Sequence, residues 1–288
     1  MRSSCKIALK SFLEQCSPAE RSSLVNYLAP IDKQNLEKLP KTYGNPLHYK
    51  ESPEELLRHI HPSWLSPFLR TLSEKDIGYF LAAIGHPLSN VIGKELLYAG
   101  TIPTLSKLGK DYLQKTLLGY LTAEIDDLLP LSFLPESPLN ALLDIKNELL
   151  NLSLDFLGLH DLCVEVKQII EKTKLKKINE ALSTNQQKYL KILLQSPEPV
   201  AFAKMGLSNW NEDPEKLKML IRQRGANRLG KALFAQDPSL IWYVLHKLDF
   251  ERALLVKKLM SPMDNSRAVQ ILIAQIIEYI TYMRQSHE

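Results

Sequence analysis

Apolar residues recur at intervals of three and four along nearly the whole chain, and nowhere do they alternate with polar ones between hairpin turns. This pattern predicts an all-α protein. The most regular stretch covers residues 137–177. Leu142, Ile145, Leu149, Leu152 and Phe156 form its apolar row, widened by Leu139, Leu143, Leu150, Leu154 and Leu157. Asn140, Asp144, Asn147, Asn151 and Asp155 make the one polar stripe, so the helix is expected to be a central strut buried on most sides. Ser137 offers an N-cap oxygen, Pro138 suits the first helical position, and Gly158 stands where a C′ residue would end the helix. A second helix follows, with Leu162, Cys163, Val166, Ile169 and Ile170 on one face and lysines toward Lys177.

The same start grammar recurs at Ser17-Pro18, Ser52-Pro53, His61-Pro62, Asp213-Pro214 and Asp237-Pro238, and Ser183 with Gln186 forms a capping box without proline. Helices are expected near 6–14, 18–28, 32–39, 53–60, 63–71, 74–84, 87–98 and 107–128. Beyond the central pair, more are expected near 184–194, 199–205, 214–224, 227–235, 238–248, 250–260 and 265–284. Residues 129–135 are apolar but broken by prolines, and read as a buried connector. The Pro-, Gly- and Asn-containing stretch 40–52 reads as a linker. Four segments follow: an N-terminal helical appendage (1–45), an N-terminal array (46–136), the central pair (137–182) and a C-terminal array (183–288). One internal similarity aligns residues 61–73 with 237–249 without gaps, each a capped helix leading to a second one. The alternatives are a stacked helix-pair repeat of armadillo type and chance agreement of helix grammar.

Composition fits this reading. With 288 residues, 45% of them hydrophobic and 24% charged, the chain has the material for a packed core. A formal charge of +4 is too small to imply nucleic acid by itself. Its distribution is uneven: residues 118–145 hold five acids and no Lys or Arg, whereas 216–231 hold six basic residues. Cys5, Cys16 and Cys163 lack metal-ligand spacing and cannot all pair, which fits a reducing compartment. The first residues lack the apolar core of a secretory signal, and no window is apolar enough to span a bilayer. The expected location is cytoplasmic, with any contact at an inner membrane made through partners.

Residues 225–232 have the glycine and lysine spacing of a phosphate-binding loop. However, Ala232 stands where Ser or Thr should hold magnesium, and a charged helix stands where a buried strand is required. The preferred reading is a helix ended by Gly225 and a new one begun at Asn227. Arg222, Arg224, Arg228 and Lys231 would then surround a tight turn as the candidate partner-binding site. His59 and His61 lack a third ligand, so capping and packing beside Trp64 is the alternative to metal. His160-Asp161 has no nucleophile and stands where the second central helix needs a cap. Trp210, Trp242 and Tyr243 suit either base stacking or, by their spacing, the core. No catalytic, cofactor or metal residues are assigned.

Residues 62–84 and 222–260, with their Pro-Ser caps, leucine pairs and the segment from Arg224 to Leu233, resemble a helical family from chlamydial type III secretion loci. Their short helix pairs are also similar to those of the flagellar motor-switch protein FliG. The resemblance implies an armadillo-like array of antiparallel helix pairs around the long central helix. It also implies a cytoplasmic scaffold or adaptor without enzymatic activity, whose partners are secretion-ring or ATPase-regulator subunits. A nucleic-acid-binding helical repeat is the alternative.

Overall fold

The computed structural model describes residues 3–39, 44–46, 53–200, 202–207 and 210–287. All regular structure among them is helical, with no strand. The expected 40–52 linker lies largely outside these residues, as do Ser52 and His48. The chain forms two compact units: 1–137 with 237–246, and 138–236 with 247–288.

The first unit contains α1 (Ser3–Gln15), α2 (Pro18–Asn26), α3 (Pro30–Lys38), α4 (Pro53–Arg58), α5 (Ser66–Leu69), α6 (Glu74–Ile84), α7 (Leu88–Glu95) and α8 (Lys107–Leu121). Ser17 and Glu20 complete the capping box that opens α2, and Ser73 and Ser106 cap α6 and α8. α8 packs on α4 and α6, where Leu57, Leu81, Ala83 and Leu117 are buried and Gln114 donates to the Ala83 carbonyl at 2.8 Å. Each leucine so buried contributes about 2 kcal/mol. The 129–135 connector is buried at Leu129, Phe133 and Leu134, as its apolar content predicts.

The helix Pro238–Lys247 belongs to this unit except for its last residue. Its Trp242 and Tyr243 are buried and donate to the Leu121 and Leu129 carbonyls at 3.3 and 3.0 Å. His246 stacks between Trp64 and Trp242, with centroids 4.0 and 3.9 Å away, and its carbonyl accepts from the His61 N–H at 2.7 Å. The aromatic residues are therefore core, and His61 has the capping role, its Nδ1 accepting from the Ser63 N–H.

The second unit contains α9 (Ala141–Asp144), α10 (Asn147–Val166), α11 (Lys172–Ala181), α12 (Thr184–Leu194) and α13 (Pro214–Leu233). With the helix Pro238–Lys247 numbered α14, it also contains α15 (Phe250–Leu259) and α16 (Ser266–His287). α10 is buried without interruption from Ser153 to Cys163, and its contact with α13 is the most extensive between any two helices. Trp210 is also buried, and Tyr279 donates to the Leu149 carbonyl at 2.6 Å.

Several expectations need correction. The central helix begins at Asn147 rather than at Pro138, because Ile145 and Lys146 are extended. The Leu143 carbonyl released by this break accepts from the Lys247 ammonium. The helix then runs through Gly158 to Val166. The two halves of the internal similarity also differ: the first is a 3-10 turn (Pro62–Trp64) followed by the four-residue α5, with Pro67 inside it, whereas the second is one continuous helix. The pair formed by α14 and α15 is divided between the two units, so it is not a repeated module.

Candidate functional site

The candidate basic residues Arg222, Arg224, Arg228 and Lys231 lie on α13, and their setting overturns the turn expected there. Asp213 caps α13 by accepting from the Glu215 N–H at 2.9 Å, Pro214 occupies its first turn, and the helix continues through Gly225 to Leu233. Gly225 does not end it, because that glycine faces α10. A Cβ at Gly225 would stand 1.7 Å from the Leu154 carbonyl oxygen, and one at Gly158 would stand 1.9 Å from the Ile221 carbonyl oxygen. The two glycines bring the α10 and α13 backbones together at a distance no side chain permits. Each costs up to about 1 kcal/mol of helix propensity, which the close packing offsets.

This approach sets the surroundings of the four basic residues. Arg228 is 1% exposed. Its Nη2 donates to Asp161 Oδ1 at 2.6 Å and to the Val200 carbonyl at 3.0 Å, and its Nη1 donates to Gln275 Oε1 at 2.7 Å and Glu198 Oε1 at 3.3 Å. Gln275 Nε2 donates to the same Glu198 oxygen at 2.6 Å, and His160 Nδ1 donates to the other, also at 2.6 Å. Arg222 Nε donates to Asp155 at 3.0 Å, Arg224 to the Lys204 carbonyl at 2.7 Å, and Lys231 to Ser261 Oγ at 3.0 Å. Arg228 is therefore enclosed by its own unit, and Arg222, Arg224 and Lys231 each make a hydrogen bond within it.

Much of what these residues bind is the segment between α12 and α13, where a helix at 199–205 was expected. Pro197 removes an N–H donor and disfavours helical backbone at Ser196, which ends α12, and the described residues 196–200 and 202–206 hold no helix. The segment is instead a strap along α13 that presents the Glu198 carboxylate, the Val200 carbonyl, the Phe202 ring and the Lys204 carbonyl in alternation. The Phe202 ring centroid is 5.2 Å from the Arg228 guanidinium and 5.8 Å from Lys231 Nζ. Its far end is held by buried Glu165, which accepts from the N–H groups of Met205, Gly206 and Leu207; Gly206 supplies the φ of +81° this turn needs.

The electrostatics are those of a closed network. Burial alone would raise Glu198, but the hydrogen bond from His160 and the charge of Arg228 hold its carboxyl down to about 2. Burial pushes Asp161 up against the pull of Arg228. Asp161 Oδ2 and Arg228 Nε have no partner among the described residues. Burial likewise raises the Tyr189 phenol, whose oxygen lies 3.4 Å from His160 Nε2. Two carboxylates, a carbonyl and an amide saturate the guanidinium ends, so the cluster is a lock between α10, α13, α16 and the strap.

His160 and Asp161, expected at a cap, are therefore central to the cluster. Glu165, Glu198 and Gln275 were not anticipated. Gln275 had a legible signal, since it interrupts the apolar run from Ile271 to Ile277. The glycine and lysine spacing at 225–232 lies inside a helix. Among the described residues no three His, Cys, Asp or Glu side chains are grouped to hold a metal, and no helix is long and apolar enough to cross a membrane.

A different surface lies in the first unit. α2 has no buried residue, and Leu24, Tyr27 and Ile31 stand 40%, 87% and 69% exposed. Beside them, α1 and α2 enclose an open groove lined by Phe12, Gln15, Cys16, Glu20, Ser23 and Leu24. On α8, Leu108 and Tyr112 share a face and are also exposed. No family model matches the chain, and the comparisons with curated proteins and solved structures give no match either.

Proposed function

We propose that the protein is a non-enzymatic helical adaptor that binds an apolar partner helix in the α1–α2 groove. The observation that carries this reading is Leu24, a large side chain 40% exposed at the rim of the groove, with Tyr27 at the end of α2 and Ile31 on α3 also left in water. The resemblance of residues 62–84 and 222–260 to proteins of type III secretion loci supports a ring or ATPase-regulator subunit of a secretion apparatus as that partner. Contact then runs through the groove, while Arg224 and Arg228 hold the fold.

The test is photo-crosslinking from position 23, in the groove lining, in the native cell, followed by identification of the captured protein. One partner captured by the wild type, and lost in the double variant Tyr27→Ser, Ile31→Ser with an unchanged melting temperature, is the expected result. Equal capture by the variant would remove this face from the interface.

A further inference from the structure

Residues 167–191 carry seven lysines and two glutamates, a net +5 in a chain whose total is +4. The rest of the molecule is close to neutral. Lys167, Lys172, Lys176, Lys177, Lys188 and Lys191 are all exposed. Lys176 faces Glu180 at 3.8 Å and Lys177 pairs with Glu212, and both pairs remain open to water, where such contacts consume little of the field.

Two isoleucines stand among these charges. Ile170, in the turn between α10 and α11, is 95% exposed, and Ile192, near the end of α12, is 50% exposed. Lys167 Nζ donates to the Ser196 carbonyl at 2.6 Å, which joins the end of α10 to the end of α12. Ile170, Ile192, Lys167, Lys172 and Lys191 therefore share one end of this unit. The core-facing position of α11 is taken by Ile178, which is 1% exposed, so neither exposed isoleucine completes the core.

We propose that this end of the second unit docks directly on an anionic lipid bilayer, with the lysines over the headgroups and Ile170 and Ile192 in the boundary with the acyl chains. Lysine is a flexible point charge, and a surface of diffuse negative charge asks for no particular geometry from it. The isoleucines lose their exposure to water there. A nucleic acid fits less well. The stretch contains no arginine to fork onto a base or phosphate, and its one aromatic residue, Tyr189, is buried. A folded acidic protein would require a continuous apolar patch, which two isoleucines separated by lysines do not supply.

The experiment is flotation of the full chain with vesicles of phosphatidylcholine alone and with about one-third phosphatidylglycerol. Partitioning about tenfold or more stronger on the anionic vesicles, falling steeply as salt is raised, is expected. Lys172→Gln with Lys191→Gln should weaken it about tenfold. Ile170→Ser with Ile192→Ser should weaken it on the same vesicles while the salt dependence persists. All four positions are exposed, so circular dichroism melting curves of both variants should overlay the wild type.

No flotation with anionic vesicles, equal flotation with neutral ones, or binding unchanged in both double variants would each overturn the proposal. Retention of a single-stranded RNA without vesicle binding would also overturn it, and would assign the lysines to nucleic acid. None of these outcomes depends on the α1–α2 groove, so this surface and the adaptor reading fail or stand separately.

Discussion

The two units differ in whether they bury charge: among the described residues, the buried Asp, Glu, Lys and Arg side chains all belong to the second. In the second, Arg228, Asp161 and His160 are buried beneath a strap, and Arg222, Arg224, Arg228 and Lys231 of α13 are all engaged within the unit. In the first, Leu24, Tyr27, Ile31, Leu97, Leu108 and Tyr112 stand in water. Burying a charge is tolerable only with partners at hand, and the Arg228 Nη groups have theirs although its Nε and Asp161 Oδ2 do not, so the α13 cluster favours one arrangement of helices. Exposed apolar side chains add nothing to a fold, which leaves them available to another molecule. Charge density alone thus did not show that Arg228 would be buried.

The largest effect expected from this contrast is at the helix crossing. Gly225→Leu should destabilise the second unit by about 4 kcal/mol or more, because its side chain meets the Leu154 backbone and has no room to turn away. Gly119→Ala in α8 of the first unit, where nothing lies within 4 Å, is the control and should not destabilise. Denaturant melts of both variants test this.

Arg228→Met should cost about 3–5 kcal/mol by leaving Asp161 and Glu198 buried without their cation. Adding Asp161→Asn and Glu198→Gln should recover part of that loss. If the triple variant is no more stable than Arg228→Met, the penalty is packing and not charge.

Acid provides a third test. Glu198 is held at about 2 against an ordinary 4.5, so the stability it contributes is complete above the unfolded value and is lost as pH falls toward the folded one. The contribution is about 3 kcal/mol at most. Asp161 acts with the opposite sign: its raised carboxyl makes the folded state bind the proton more readily, so acid relieves rather than removes stability there. The melting-temperature gap between wild type and Glu198→Gln should be open at neutral pH and close through this window. A gap independent of pH would show that Glu198 acts by shape.

The smallest effect is in the first unit. Leu97 closes α7 at a φ of +53°, with its N–H donating to the Lys94 carbonyl and the Tyr98 N–H to the Gly93 carbonyl, the arrangement for which glycine is suited. Leu97→Gly should stabilise by about 1 kcal/mol, since an exposed leucine offers no packing to lose. Unchanged stability would mean that the freedom glycine adds to the unfolded chain cancels the relief.

Much of the local chemistry was legible. The helix starts at Ser17, Ser183, Asp213 and Asn265, the buried connector at 129–135 and the core positions of Trp210, Trp242 and Tyr243 follow from side chains acting within a few residues. The end of α12 was legible, since Pro197 disfavours helical backbone at Ser196, whereas Pro199 suits a first helical turn and hides the strap. Gly158 and Gly225 were not, because a glycine that ends a helix and one that admits a neighbouring backbone are the same residue in sequence.

By itself, then, the sequence determined that the protein is all-α and where most of its helices begin, since capping and 3.6-residue periodicity are local. Whether a glycine would terminate α10 or lie against α13, and whether Arg228 would face solvent or two carboxylates, was decided only in the tertiary structure. Residues 161, 198, 228 and 275 are far apart in the chain, and no local rule sums their charges until packing brings them within hydrogen-bonding distance.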